Sequence, residues 1–402
     1  MIGISKIYCG TVEPGDVLRY ERNGEQLPSH LVQFAKQKKP VVVFNCTRRC
    51  NLRCMHCYSA SCDVDYDGEL RTKEAKDMID SLGRLGSPVI LFSGGEPLTR
   101  PDLPELMRHA KDIGLRVVIS TNGTLLSDVF LSESKKIGLS YIGVSIDGLQ
   151  EVNDEFRGVD GTFHMALDGM RRAKEKGLKV GLRFTINKKN FHEIDRIFDL
   201  MIREEIPRIC FYHLVYSGRG SGLKAEDLSH KETRMVVDKI IDRTAEMHAN
   251  GFPAEVLTVD NHADGPYLWQ RMSREKHPRA DDAIRLLLMN GGNSSGNGIG
   301  CISWDGEVYA DQFSRSRSFG NVKERPFDEI WTDTSDELMA SLKFKYDHVT
   351  GRCVDCRFLY ACGGNFRARA ESVTNEVWGV DPACYLTDEE ISGKRFELEV
   401  TM

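Results

Sequence analysis

The chain has 402 residues, with 54 Lys+Arg against 60 Asp+Glu and a formal net charge of −6. Hydrophobic residues make up 41% and charged residues 28%, a balance that excludes wholesale disorder, while the mild acidity argues against a chain-wide nucleic-acid surface. No apolar run reaches the roughly 18 residues of a membrane span and Met1–Lys6 lacks a secretory core, so a cytoplasmic protein is expected; its 12 cysteines are too clustered for a disulfide framework.

Residues 1–36, with Gly10, Gly15 and Gly24 and no clear period, read as an N-terminal extension laid on the main domain. From Pro40 a repeating pattern begins. Pro40–Asn45 is a continuous apolar run suited to a strand buried on both faces. Thr72–Leu85 has helical spacing, with Ala75, Met78, Ile79, Leu82 and Leu85 on one side. Strands are then expected at Val89–Phe92, Arg116–Ser120, Tyr141–Ile146, Val180–Ile186 and Arg208–Leu214. The intervening helices are expected at Asp102–Ile113, Leu125–Ile137, Thr162–Lys176 and Phe191–Glu204. Repeated strand–helix units over residues 37–255 imply a parallel sheet, either open and doubly wound or a full or partial barrel.

After Ser217–Gly222 the alternation stops. His230–Asn250 reads as one long helix, and residues 256–300 as a connecting segment whose glycine-rich end, Gly291–Gly300, is a linker or pocket loop. Residues 301–402 are poor in periodic apolar runs yet hold five of the cysteines, a composition that metal sites would help to hold folded.

Cys50, Cys54 and Cys57 lie directly after the first predicted strand, spaced C-x3-C-x2-C. Three thiolates from one loop suit three corners of an iron–sulfur cube, leaving the fourth iron open to a ligand. A zinc knuckle or a ferredoxin-type carrier fits the same spacing. Cys46 precedes the triad and reads as a small buried side chain at the strand end. The later strands also end in polar motifs: Ser93-Gly94-Gly95-Glu96-Pro97, Ser120-Thr121-Asn122-Gly123 and Ser145-Ile146-Asp147-Gly148. Ligands bind at such carboxyl ends in parallel sheets, and paired glycines admit a close backbone approach.

With Tyr58 following the triad, this succession resembles the radical SAM superfamily. The resemblance implies a partial (β/α)6 TIM-type barrel and a SAM-binding 4Fe–4S cluster on Cys50, Cys54 and Cys57. It also implies a SAM site at Tyr58, Gly94, Gly95, Glu96, Asn122, Ser145 and Asp147. Arg157 and Arg183 are candidates for the SAM carboxylate, a role that a bidentate guanidinium suits.

The second set is Cys353, Cys356 and Cys362 with Cys384 following. By spacing alone four thiolates suit zinc or iron–sulfur. The pattern resembles the SPASM or twitch extension of that superfamily, which implies a small C-terminal domain over residues 301–402 with one auxiliary 4Fe–4S cluster. Positions that the full SPASM pattern gives to further cysteines hold Asp311 and Phe366. Cys301 is the one leftover cysteine with a claim to iron, whereas Cys9, Cys46, Cys62 and Cys210 have none.

Met1–Lys6, Tyr8–Gly10, Leu27–His30, Thr47–Leu52 and Phe211–Gly220 resemble the siroheme-route members of the superfamily. This implies a tetrapyrrole substrate, with loss of two acetate side chains from didecarboxysiroheme to give Fe-coproporphyrin III. The alternatives are haem d1 precursor synthesis and peptide or protein modification, such as sulfatase maturation or ribosomal-peptide crosslinking. A ferredoxin or flavodoxin as electron donor, and neither nucleic acid nor membrane as partner, complete the expectation. A flat apolar disc with carboxylates and a metal asks for aromatics, cations and an axial imidazole. The candidates are His213, Tyr216, Arg219, His262, Arg315 and Arg317.

Overall fold

The computed structural model describes residues 1–11 and 39–398; Gly15, Gly24 and the Leu27–His30 segment lie outside the described residues. Ten strands share one sheet: β1 (Ile2–Gly3), β2 (Val41–Thr47), β3 (Val89–Gly94), β4 (Arg116–Thr121), β5 (Tyr141–Ser145), β6 (Val180–Ile186), β7 (Arg208–His213), β8 (Glu255–Val259), β9 (Ile299–Ile302) and β10 (Val308–Tyr309). Their order is β1-β8-β7-β6-β5-β4-β3-β2-β9-β10. All neighbours are parallel except β1 with β8 and β9 with β10.

The six predicted strands are β2 to β7. The expected helices form between them at Thr72–Leu85, Leu103–Asp112, Asp128–Ile137, Thr162–Glu175 and Ile194–Arg203. Thr72–Leu85 buries the expected apolar stripe and stops at Gly86, which takes the left-handed conformation. The helix expected from Leu125 starts at Asp128 because Ser127 caps it, accepting from the Phe130 N–H. Gln150–Arg157 is a further helix that periodicity does not announce.

Three additions correct the outline. β8 follows the long helix His230–Ala249 and continues the parallel order, straddling the expected boundary after residue 255. β1 pairs with β8 and the helix Ile4–Cys9 follows it, with Ile2, Ile4 and Ile7 buried. The start of the chain is therefore part of the sheet rather than a layer on it. β9 pairs with β2 along Val41–Phe44, so residues 256–300 are no mere connection. They carry the helices Asp264–Arg274 and Ala280–Asn290 and deliver the chain into the barrel sheet. Strands of two to five residues carry too little period to be read in advance.

Alternation divides each strand between two faces. Leu182, Phe184 and Ile186 of β6 and Ile209 and Phe211 of β7 belong to the main apolar core under the helices. Arg183, Thr185, Cys210 and Tyr212 therefore take the opposite face, where Cys210, Leu257 and Val259 form a small cluster of their own with Tyr212. That face is concave. Tyr58 lies close enough to feel Cys301 of β9, and Arg183 of β6 feels Tyr58, although β9 and β6 stand five strand spacings apart, about 24 Å on a flat sheet. β1 and β10 are not paired with each other, so the architecture is an α/β partial barrel.

Arg369, fully buried, fastens the C-terminal part to this barrel. It donates to both Asp381 oxygens at 2.9 Å, to the Leu214 carbonyl after β7 at 3.0 Å and to the Asp260 carbonyl after β8 at 2.8 Å.

Candidate active site

The loop leaving β2 carries the first cysteine triad, and backbone bonds from several elements fix its course. The Cys50 N–H donates to the Cys62 carbonyl at 3.0 Å, Met55 to Phe156 at 3.0 Å, and Arg219 to Cys57 at 2.9 Å. The turn after β3 grips the same loop: the Gly95 N–H donates to Thr47 and that of Glu96 to Arg49, each at 2.8 Å. A Cβ on Gly94 would collide with the Thr47 carbonyl, and one on Gly95 with that of Arg49. The glycines thus make room first for the cysteine loop itself.

Cys50 and Cys54 are buried and Cys57 is half-buried beside them. Burial pushes the Cys50 thiol up to about 12, with the Leu52 N–H opposing and Cys54 and Cys57 adding to the rise. Burial also raises Cys54, opposed by Arg157. Arg157 bridges two groups: one nitrogen donates to the Cys54 sulfur at 3.6 Å and another to Asp147. Asp147, wholly buried, also accepts from the Thr185 N–H at 2.6 Å. His56, between the second and third cysteines, stacks flat on Phe156 with centroids 4.6 Å apart. Burial holds its ring near pKa 4, and its Nε2 lies 3.9 Å from Asp147. Its signal in the sequence is its place as the imidazole inside the triad.

Glu96 ties strand ends together, accepting from the Thr121 hydroxyl at 2.7 Å, the Asn122 N–H at 2.8 Å and the Leu98 N–H at 3.2 Å. Asn122 donates to Asn51 at 2.9 Å and reaches the Cys50 sulfur at 3.9 Å. Ser145 ends β5, half-buried. The Tyr58 hydroxyl donates to Asn45 at 2.9 Å and stands 3.2 Å from the Ser93 hydroxyl. These motifs converge at one rim.

Arg183 turns deeper into the barrel than the other SAM candidates. Its stem runs over Gly143, one pleat deeper in β5 than Ser145, and its guanidinium lies on the Tyr212 ring at 4.6 Å. The proposed substrate contacts need correction. His213 shares the outward parity of Ile209 and Phe211 and bonds Asp264 at 2.8 Å, away from the concave face. Tyr216 donates to Asp227 at 2.5 Å. Arg219 is spent on the cysteine loop, donating to the Cys54 carbonyl at 2.8 Å and that of Ser61 at 2.9 Å. His262 is buried in the seam near Lys345, Arg367 and Arg369, with Nδ1 unpartnered; burial drives its pKa well down. Arg317 pairs with Asp336 at 2.5 Å on an exposed surface. Arg315 does approach the site, stacked on Tyr309 at 4.7 Å and on Trp304 at 5.4 Å, with its charge felt by Tyr58 and Cys301.

The second set gathers Cys353, Cys356, Cys362 and Cys384. Burial lifts the Cys362 thiol well above its usual value, and Cys384, Cys353 and Cys356 add to the rise, so all three lie within charge range of Cys362. Gly291–Gly300 backs them. The Asn293 N–H donates to the Cys362 carbonyl at 3.0 Å, and a Cβ on Gly292 would collide with that carbonyl. Cys301 is not among them. It lies opposite Val43 with its sulfur 3.5 Å from Asn45 Nδ2, beside Tyr58. Asp311 is bound into its own turn by the Ser295 hydroxyl at 2.5 Å and the Phe313 N–H at 2.8 Å. Phe366 packs with Val215, Ala368 and Phe313. Cys46 is buried on the helix-facing side.

Among the described residues no group of three or more His, Cys, Asp or Glu side chains converges tightly enough for a single metal ion. Both sets are nonetheless all-thiolate and gathered within charge range, with Arg157 by the first and Arg352 and Arg367 by the second. That is a donor set for a multi-iron cluster.

Comparison with known proteins agrees. Residues 44–201 match the radical SAM superfamily and residues 296–357 match SPASM, an iron–sulfur cluster-binding domain. The chain is 60% identical over 394 residues to the Fe-coproporphyrin III synthase of Methanosarcina barkeri, covering 97% of this chain and 99% of that one. It is 41% identical to the pre-heme d1 synthase of Dinoroseobacter shibae, over 87% of each. Among solved structures, Streptococcus suis SuiB bound to precursor peptide SuiA superposes with TM-score 0.69 at 17% identity, over 87% of this chain and 76% of that one. Native anSMEcpe with bound AdoMet gives 0.66 at 19%, over 86% and 94%. No described helix is long and apolar enough to cross a membrane. The protein is an enzyme that uses SAM, a SAM-binding 4Fe–4S cluster and an auxiliary cluster. By its two matched domains and by its identity to these relatives, the chain belongs to the radical SAM superfamily, in the group that carries a C-terminal SPASM domain.

Proposed function

We propose that this enzyme removes two acetate side chains from didecarboxysiroheme to give Fe-coproporphyrin III. The observation that carries the reading is the 60% identity to Fe-coproporphyrin III synthase over nearly the whole of both chains. Cys50, Cys54 and Cys57 hold the catalytic cluster, and Cys353, Cys356, Cys362 and Cys384 the auxiliary one. Held by Cys50, Cys54 and Cys57, the first cluster would supply, with SAM bound, the radical chemistry that an acetate side chain needs. The protein positions what reacts. Tyr58, Gly94, Gly95, Asn122 and Ser145 border SAM, Glu96 and Asp147 hold those strand ends in place, and Arg157 offsets thiolate charge while facing the SAM carboxylate. In this reading residues 37–255 are the core, 301–402 the auxiliary domain, the enzyme is cytoplasmic, and a ferredoxin or flavodoxin delivers the electron.

The test is anaerobic incubation of the reconstituted holoenzyme with SAM, a reductant and didecarboxysiroheme. The expected products are 5′-deoxyadenosine and Fe-coproporphyrin III. Formation of 5′-deoxyadenosine without deacetylated product overturns the substrate, and a Cys54→Ala chain that still cleaves SAM overturns the chemistry. The 41% identity to pre-heme d1 synthase favours a second reading, haem d1 precursor synthesis, which the product mass separates from the first.

A further inference from the structure

Arg183 sits on β6 level with Ser145 of β5 and Cys210 of β7. Its stem leans from there toward the deep end of the concave face. The space it fills exists because β5 and β6 carry facing glycines, Gly143 and Gly181. A Cβ on Gly143 would press on the Arg183 stem, and one on Gly181 would strike the Tyr141 hydroxyl. Tyr212, Cys210 and Tyr141 act most on its charge, and the buried Asp260 carboxyl lies within charge range without pairing to it.

Other arginines around the barrel have acid partners: Arg157 has Asp147, Arg208 has Glu255 at 3.0 Å, and Arg369 has Asp381. Among the described residues the Arg183 guanidinium makes no hydrogen bond or ion pair, only its contact with the Tyr212 face. The Tyr141 hydroxyl beside it is buried without a partner. A half-buried cation with up to five donors free of protein partners, beside a buried unpaired phenol, leaves both open to a ligand. A carboxylate satisfies both at once, since its two oxygens accept from a guanidinium fork and a neighbouring hydroxyl.

We propose that Arg183 and Tyr141 form a carboxylate-binding floor in the barrel, which takes one acidic side chain of the substrate. This rests on the tetrapyrrole reading and deepens it. With the SAM motifs at the rim and this floor below them, a carboxylated disc is fixed in orientation, and one face of it is turned to the SAM end.

The test uses holoenzyme carrying both clusters. Binding of Fe-coproporphyrin III, followed by its absorbance, and binding of SAM are measured for the wild type and for Arg183→Gln, Arg183→Lys and Tyr141→Phe. Arg183→Gln is expected to weaken Fe-coproporphyrin III binding about 10- to 100-fold. Arg183→Lys should recover part of that loss and Tyr141→Phe should lose less, with SAM affinity unchanged in all three. Lys keeps the charge and so reports even where the Gln chain fails to fold. If Arg183→Gln loosens SAM instead, the guanidinium serves the SAM carboxylate and the proposal is overturned. A wild type that binds tetrapyrrole alongside unaltered variants also overturns it, leaving the proposed function standing. A wild type that binds no tetrapyrrole overturns both.

Discussion

Buried among three donors, Glu96 has its pKa pushed up to about 7 from 4.5, chiefly by desolvation. The sign of the consequence follows from linkage. Between these values the folded chain holds a proton that the unfolded chain has lost, so this group's contribution to stability is full below about 4.5 and is lost as pH rises toward 7. In Glu96→Gln that slope should vanish, even though its amide sets one donor against another. Denaturant midpoints taken from about pH 5 to pH 8 check this. Which residues come together was legible where spacing defines it, as in the two cysteine sets and the rim motifs. His213 and Arg219 were misjudged because nearness to a strand end says nothing of side-chain direction. The outward parity of Ile209, Phe211 and His213 turns the imidazole to Asp264, and the Arg219 fork was already required by loop carbonyls.

Each cysteine set leans on a glycine turn from another element: Gly95 after β3 backs the first and Gly292 before β9 backs the second. Gly95→Ala should therefore displace the Arg48–Arg49 backbone and lower bound iron by about one cluster while the second set stays loaded. Gly292→Ala should do the reverse and leave the SAM-binding cluster in place. Iron and sulfide per chain, read with SAM binding, distinguish the two, and loss of both clusters from either variant would count against separate cradles. The helices and central strands were readable because runs such as Ala75–Leu85 repeat over several turns. β1 and β9 were not, since two to four residues paired across some 250 positions leave no local trace.

The molecule is joined at two places that ignore the expected domain boundaries. β9 hydrogen-bonds to β2 within the barrel sheet, and Arg369 links Asp381 to the carbonyls after β7 and β8. Heating should therefore give one unfolding transition rather than two, with calorimetric and van't Hoff enthalpies agreeing. Arg369→Met should cost about 3–5 kcal/mol, because it leaves Asp381 buried without its cation; a denaturant titration measures this. The continuity through β9 bears on electron traffic as well. Tunnelling rates depend steeply on separation, and here the interval between the two iron sites is set by a hydrogen-bonded sheet and not by a swinging joint. Exchange between them is thus expected to proceed at the same pace in thick glycerol as in dilute buffer.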